Sequence, residues 1–302
     1  SIKGEVFVTG SSTVEPISIK VGELAGSLSK GGLAVTVEGP GTGDGFKTFC
    51  AGGADISDAS RKIKDEEAKT CADNGIEYVE LAVAIDGLTV ATNAKNTAIE
   101  CLDTKALYAL LGPESEGKVN KWSDANALAK ELGSTSPAFP DADLVITGPG
   151  PESGTYDSLI EFSVKKIAKD RSKDAKIRSD YTQSPNDNVI VEGIEGSPTS
   201  LGWVGFAYYE AQKDRMKAIE IDNGKGCVAP TADTIADASY PFSRTLYMYV
   251  SKKALADNPA VKAFVDVYLS ADGLAKVNEA GYVALGADKI AATQAAWTAA
   301  KG

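Results

Sequence analysis

The chain has 302 residues, a formal net charge of -11, four cysteines and no histidine. At roughly 150 residues per domain, that length predicts two domains, each able to bury its own core. The acidic sum argues against diffuse contact with nucleic acid or an anionic membrane. The missing histidine removes Ser-His-Asp and Cys-His pairs, the usual zinc sites and histidine bases.

The first ten residues, SIKGEVFVTG, lack a charged segment leading into an apolar run, so the reading is that any signal peptide has already been removed. Val6 to Thr9 reads as a first strand. Residues 16–28 place Ile17, Val21, Leu24, Ala25 and Leu28 at helical spacing. Residues 33–37 read as a second strand. The acidic run Asp65-Glu66-Glu67 reads as a solvated helix start. Residues 78–85 and 88–92 read as two strands interrupted by Asp86-Gly87, and residues 144–147 as another. The 155–170 segment is helical through Tyr156, Leu159, Ile160, Val164 and Ile167. Residues 202–209, 218–221 and 245–250 read as strands. Trp203, Phe206, Tyr208 and Tyr209 are expected to alternate into the core of the first of these. Val261, Phe264, Val265, Tyr268, Leu269, Leu274 and Val277 give the last stretch a helical pattern. Strands alternating with helices predict an α/β protein with mostly parallel sheets. No window approaches 18 uninterrupted apolar residues, so no membrane span is expected. The chain is expected to cross between domains near Ile85-Asp86-Gly87 and Ser239-Tyr240-Pro241.

Cys50, Cys71, Cys101 and Cys227 form no C-x-x-C pair, against a zinc or thioredoxin-type motif. Their wide spacing fits two disulfides in an exported protein. Of three pairings, Cys50–Cys71 with Cys101–Cys227 is preferred, because the first two fall in one expected domain and the others in the second. The alternative is four buried thiols in a cytosolic protein.

Three loops share one grammar: a strand, then glycine with small hydroxyl residues, then a helix. They are Thr9-Gly10-Ser11-Ser12-Thr13-Val14, Gly39-Pro40-Gly41-Thr42-Gly43-Asp44-Gly45, and Gly148-Pro149-Gly150-Pro151-Glu152-Ser153-Gly154-Thr155. Helix N-termini carry unpaired amides and partial positive charge, glycine admits close approach, and hydroxyls add neutral donors. Such termini suit a small tetrahedral anion. A fourth loop, Asp55-Ile56-Ser57-Asp58-Ala59-Ser60-Arg61, adds a hydroxyl at Ser60 and a forked guanidinium at Arg61. Ordinary helix capping is the competing explanation for each loop.

Nucleotide signatures fail. Phe46 separates the Gly45 and Lys47 that a P-loop needs adjacent, and neither the second nor the third loop completes G-x-G-x-x-G. A serine enzyme using Ser12 or Ser153 lacks both histidine and a Ser-x-x-Lys motif. No enzyme activity, cofactor or metal is expected.

The ordered set resembles the phosphate-binding proteins of phosphate ABC importers. It comprises Gly10-Ser11-Ser12-Thr13-Val14-x-Pro16, Gly41 to Phe46, Asp55-Ile56-x-x-Ala59-Ser60-Arg61, Glu152 to Asp157, Asp187-Asn188-Val189, residues 201–209, Tyr240-Pro241-Phe242-Ser243-Arg244-Thr245-Leu246, and residues 281–285. The resemblance implies a two-lobed periplasmic-binding-protein-like fold. Each lobe would be a mixed, mostly parallel sheet flanked by helices, joined by two crossover strands. Lobe 1 would take residues 1–86 and 241–302, lobe 2 residues 87–240, with phosphate in the cleft. By position, phosphate would meet Ser12, Thr13, the Val14 amide, Thr42, Ser60, Arg61, Ser153, Gly154 and Thr155. The best-known branch has an arginine four residues before the serine of its S-G-T motif, where this chain has Pro149. That branch also has an aspartate after an Ala-Ser pair, where Arg61 follows Ala59-Ser60. Arg61 is therefore read as a relocated guanidinium, with an ion pair to Asp58 or Asp65 as its alternative. Asp44, Asp58, Glu152 or Asp187 would accept the proton that separates hydrogen phosphate from sulfate. The resemblance further implies a monomer outside the cytoplasm, periplasmic or extracellular, with room for a lipid anchor, serving a membrane permease and no nucleic acid. Alternatives are a sulfate or molybdate binder, or a surface adhesin or sensor on the same fold.

Overall fold

A computed structural model describes residues 3–302. The chain divides into two compact units, one made of the residues up to Asp86 together with Arg244–Gly302, the other of Gly87–Ser243.

In chain order the first elements are β1 (Gly4–Gly10), α1 (Glu15–Leu28), β2 (Leu33–Glu38), α2 (Thr42–Cys50), β3 (Ile56–Ala59), α3 (Asp65–Asp73) and β4 (Tyr78–Asn93). Then follow β5 (Cys101–Asp103), α4 (Thr104–Leu111), α5 (Asn126–Glu131), β6 (Val145–Gly148), α6 (Gly154–Leu159), a π-helical turn at Ile160–Val164 and α7 (Lys165–Asp170). Next come β7 (Thr182–Gln183), α8 (Asp187–Gly196), β8 (Ser200–Gly205), α9 (Phe206–Ala211), β9 (Met216–Ala218), β10 (Glu220–Asp222), β11 (Cys227–Val228) and α10 (Ala232–Ala236). The chain closes with β12 (Ser243–Ser251), α11 (Lys252–Asp257), α12 (Pro259–Tyr268), α13 (Ala271–Glu279) and α14 (Ala287–Lys301).

In the first unit the strand order is β2-β1-β3-β12-β4. β1 runs parallel to β2 and β3, placing Val6 opposite Val35 and Val8 opposite Ile56. β12 is antiparallel to β3. Val6, Val8, Ile17, Val21, Phe264 and Val265 share one buried cluster, so α1 and α12 cover this sheet. Each large apolar side chain so buried is worth about 1.5–3 kcal/mol. Phe46, Phe49 and Tyr249 form a second cluster around Cys50 and Cys71. In the second unit, β8 lies between β4 and β6, β7 lies outside β6, and β9 also pairs with β4. β5, β10 and β11 make a separate small sheet.

Cys50 is bonded to Cys71, and Cys101 to Cys227, as preferred from sequence. The second bond joins the two strands that flank β10.

Four readings are corrected. Residues 56–59, expected as loop, form β3, with all four buried between β1 and β12. Asp86-Gly87 does not break β4, which runs on through it. Gly87 is there for space: a Cβ would stand 2.8 Å from Ile235 Cδ1. The 202–209 run is half strand and half helix, because β8 ends at Gly205. Trp203 and Phe206 are buried, while Tyr208 and Tyr209 lie against Ile190, Val191, Ile194 and Val204. The 155–170 segment is helical but passes through a π turn.

Candidate functional site

In the first unit, β1 delivers the chain to Gly10, whose φ of +129° favours glycine, and where a Cβ would stand 2.1 Å from the Asp58 carbonyl oxygen. The Ser11 amide donates to that carbonyl at 2.9 Å. Ser11 Oγ then accepts from the Thr13 amide at 3.2 Å and the Val14 amide at 3.4 Å. Ser11 was not among the residues singled out from sequence, yet it holds the Val14 amide expected to face an anion, together with the Thr13 amide. Its signal was present: a serine in a loop readily accepts from backbone amides two and three residues further on.

The second loop is tied to the first by the Gly41 amide, which donates to the Gly10 carbonyl at 2.8 Å. α2 then crosses the end of β1 so closely that a Cβ on Gly45 would lie 2.3 Å from Gly10 Cα. This approach brings Thr42 beside the end of β3. Thr42 Oγ1 and Ser60 Oγ are 3.0 Å apart, and the Ser60 amide donates to Thr42 Oγ1 at 3.1 Å. Thr13, Thr42 and Ser60 are all buried. Ser12 is half-buried.

Two arginines stand in this unit near those loops. Arg61 donates from Nη1 and Nη2 to the two carboxylate oxygens of Glu67, each at 2.8 Å, and lies 5.7 Å from the Phe46 ring centre. The expected alternative partners were Asp58 and Asp65; the partner is Glu67. The solvated-start reading of residues 65–67 is corrected at the same point. Asp65 and Glu66 are exposed, but Glu67 is half-buried and also accepts from the Lys64 amide at 2.9 Å. Burial raises the Glu67 pKa, yet the bonds from Arg61 and Lys64 outweigh it and hold the carboxyl below its ordinary range. Sequence reasoning quoted Arg244 within a motif but gave it no role. Its Nε donates to Asp86 Oδ2 at 3.2 Å and its Nη2 to Thr13 Oγ1 at 3.4 Å. The side chains of this pair are 15% and 5% exposed.

The four candidate proton acceptors differ sharply. Asp44 is exposed and pairs with Lys47 at 2.8 Å. Asp58 is fully buried. Its Oδ2 accepts from Ser18 Oγ at 2.6 Å, and Ser18 Oγ stands 3.3 Å from the Tyr268 hydroxyl. Its Oδ1 has no hydrogen-bond partner. Burial pushes the Asp58 pKa up to about 7; the Ser18 bond opposes this and the charge on Glu15 adds to it. The other two acids belong to the second unit.

There, β6 leads through the third loop to Ser153, whose Oγ caps α6 by accepting from the Thr155 amide at 3.1 Å. Ser153, Gly154 and Thr155 are half-buried at this helix start. The Tyr181 hydroxyl donates to the Pro149 carbonyl at 2.6 Å, which braces the loop. Glu152 is exposed. Asp187 is half-buried in the first turn of α8, and burial raises its pKa.

So the first unit brings Thr13, Thr42, Ser60 and Arg244 to the joined ends of β1, β3 and β12, with Arg61 at α3. This combination of neutral hydroxyls, helix-start amides and guanidinium groups suits a compact oxyanion. The family described as the PBP superfamily domain matches residues 1–272, and the chain belongs to it. Its relatives are specific. Protein SphX of Synechocystis sp. is 38% identical over 93% of this chain and 78% of its own length. The phosphate-binding protein PstS of Staphylococcus aureus (strain USA300) is 36% identical over 94% of this chain and 79% of its own length. The crystal structure of a possible phosphate binding protein from Planctomyces limnophilus DSM 3776 superposes with a TM-score of 0.89 at 36% identity, covering 100% of both chains.

Proposed function

We propose that this protein captures inorganic phosphate outside the cytoplasm and hands it to the membrane permease of an ABC importer. The observation that carries the reading is the trio of buried hydroxyls, Thr13, Thr42 and Ser60, on loops tied by the Gly41–Gly10 bond. The phosphate-binding relatives add to it, and the two disulfides support a site of action in an oxidising compartment.

In this reading the anion takes the Thr13 and Val14 amides that Ser11 now holds, and the hydroxyls of Ser12, Thr13, Thr42 and Ser60 complete one side. Within the second unit, Ser153, Gly154 and Thr155 offer phosphate the same chemistry, hydroxyls and helix-start amides at α6. Arg61 gives a smaller share, because Glu67 already neutralises it. Among the four acids, Asp58 is the proposed proton acceptor. It is buried two residues before Ser60, and its Oδ1 is without a partner. A carboxylate there accepts the proton of hydrogen phosphate and repels fully ionised sulfate.

Calorimetry on phosphate-stripped protein tests the function. Saturable phosphate binding at micromolar concentration is expected, with sulfate a poor competitor at pH 8 and a better one at pH 5, where Asp58 is protonated. Absence of that binding overturns the reading, and equal competition by sulfate at pH 8 overturns the part given to Asp58.

A further inference from the structure

We propose that Glu15 is a specificity-determining residue of the phosphate site, a carboxylate that disfavours a fully ionised oxyanion against one that carries a proton; this rests on the phosphate reading and deepens it. Glu15 stands in the first turn of α1, one residue after Val14. Its side chain is half-buried and turned toward the second loop. A Cβ on Gly39 would stand 2.1 Å from Glu15 Oε2 and 3.1 Å from Ser12 Cα. Gly39 has no positive φ, so its bare backbone is there for space, and the carboxylate takes that space. Glu15 therefore sits where the loop carrying Thr13 meets the loop carrying Thr42.

An acid in a first helical turn has an ordinary use, since it faces the positive end of the helix dipole. That use asks only for a charge near the helix start, and water can solvate it there. Glu15 is instead drawn in against a glycine, where burial raises its pKa and, among the described residues, no cation lowers it again. A negative charge beside an anion site repels every anion, so it serves binding only by sorting them. Sulfate brings a carboxylate nothing but acceptors. Hydrogen phosphate brings an O–H, and the encounter becomes a charge-assisted hydrogen bond. The loops meet Glu15 with Ser12 and Gly39, which carry no charge. β3 contributes Asp58, whose raised pKa the Glu15 charge supports. The two acids differ in setting: Asp58 is fully buried, and Glu15 is half-buried against the loops themselves.

The test uses the full chain, stripped of phosphate, at pH 8 in three forms: unchanged, Glu15→Gln and Gly39→Ala. Inorganic phosphate is titrated into each by calorimetry, alone and against sulfate, and thermal unfolding without either anion reports whether each is folded. Glu15→Gln keeps the shape and an acceptor oxygen but removes the charge. Sulfate is expected to compete about 10-fold better there, while affinity for phosphate alone moves by less than about 3-fold. Gly39→Ala keeps the charge but puts a methyl where Oε2 stands, so the carboxylate must shift. Sulfate should compete about 3-fold better in that form. A carboxylate that serves only the helix dipole predicts instead that both anions change by the same factor in Glu15→Gln. That result overturns the proposal and leaves the phosphate reading intact. If Glu15→Gln does not fold, Gly39→Ala decides alone, and an unchanged phosphate-to-sulfate ratio overturns the proposal. No phosphate binding by the unchanged protein overturns the phosphate reading and this proposal with it.

Discussion

Arg61–Glu67 and Arg244–Asp86 are the same chemical pair in two settings. In the first, the side chains are 34% and 18% exposed, and the partners lie six residues apart at the start of α3. In the second they are 15% and 5% exposed, and the partners lie 158 residues apart. Local pairing gives ideal two-pronged geometry with little desolvation. Distant pairing gives deeper burial and sets Nη2 beside the Thr13 hydroxyl. The two-pronged pair is thus also the more exposed one.

The contrast can be broken most directly by removing each arginine without ligand present. Arg244→Met takes the Arg244 cation away from the buried Asp86, so unfolding by denaturant should show a loss of about 3–5 kcal/mol. A loss under 1 kcal/mol would mean that Asp86 is better solvated than its burial implies. A third carboxylate sharpens the same point, because Asp58 is buried and, among the described residues, forms no ion pair. Its folded pKa of about 7 lies above its ordinary 3.8. The folded state therefore binds more protons between those values. The stability this group allows is fully present below about pH 4 and falls as pH rises to about 7, by on the order of 2–4 kcal/mol. Asp58→Asn should flatten that slope and raise stability at pH 8, with Glu15 and Tyr268 left to titrate near it. A slope that persists unchanged in Asp58→Asn would assign it elsewhere. Arg61→Met should cost only about 1 kcal/mol, since Glu67 keeps the Lys64 amide and some solvent. Smallest of all, Lys47→Ala removes a surface pair whose side chains are 80% and 60% exposed. Stability should stay within about 0.5 kcal/mol and phosphate affinity should not move.

These differences also explain what could be read in the amino-acid sequence. β1, β2 and α1 were legible because their apolar residues keep the strand or helix period and face one core. β3 was not, since Ser57 and Asp58 look like loop residues and are buried as polar groups in a central strand. Asp86-Gly87 looked like a break because its role, a bare backbone beside Ile235 and a carboxylate on Arg244, depends on residues about 150 positions away. α9 was hidden by aromatic alternation that suits either structure. α14 carries alanine with little polar contrast, so its period is faint. At the candidate site, the loop grammar drew attention to Thr13, Thr42 and Ser60, all of which are buried. It did not point to Arg244, because no local pattern tells an arginine which distant loop it will meet.

The order of the chain has one more consequence. The second unit is a single stretch, Gly87–Ser243, and its Cys101–Cys227 bond closes a ring across a separation of 126 residues. The first unit is completed only by residues after 243, because β3 has no partner on its β12 side until that strand arrives. For a chain that emerges N-terminus first, the inserted unit can fold and be locked by oxidation while its host still waits for a strand. Arg244, the second residue of that late strand, meets both Asp86 and Thr13, so the proposed anion-binding end of the first unit is among the last parts of the protein to exist.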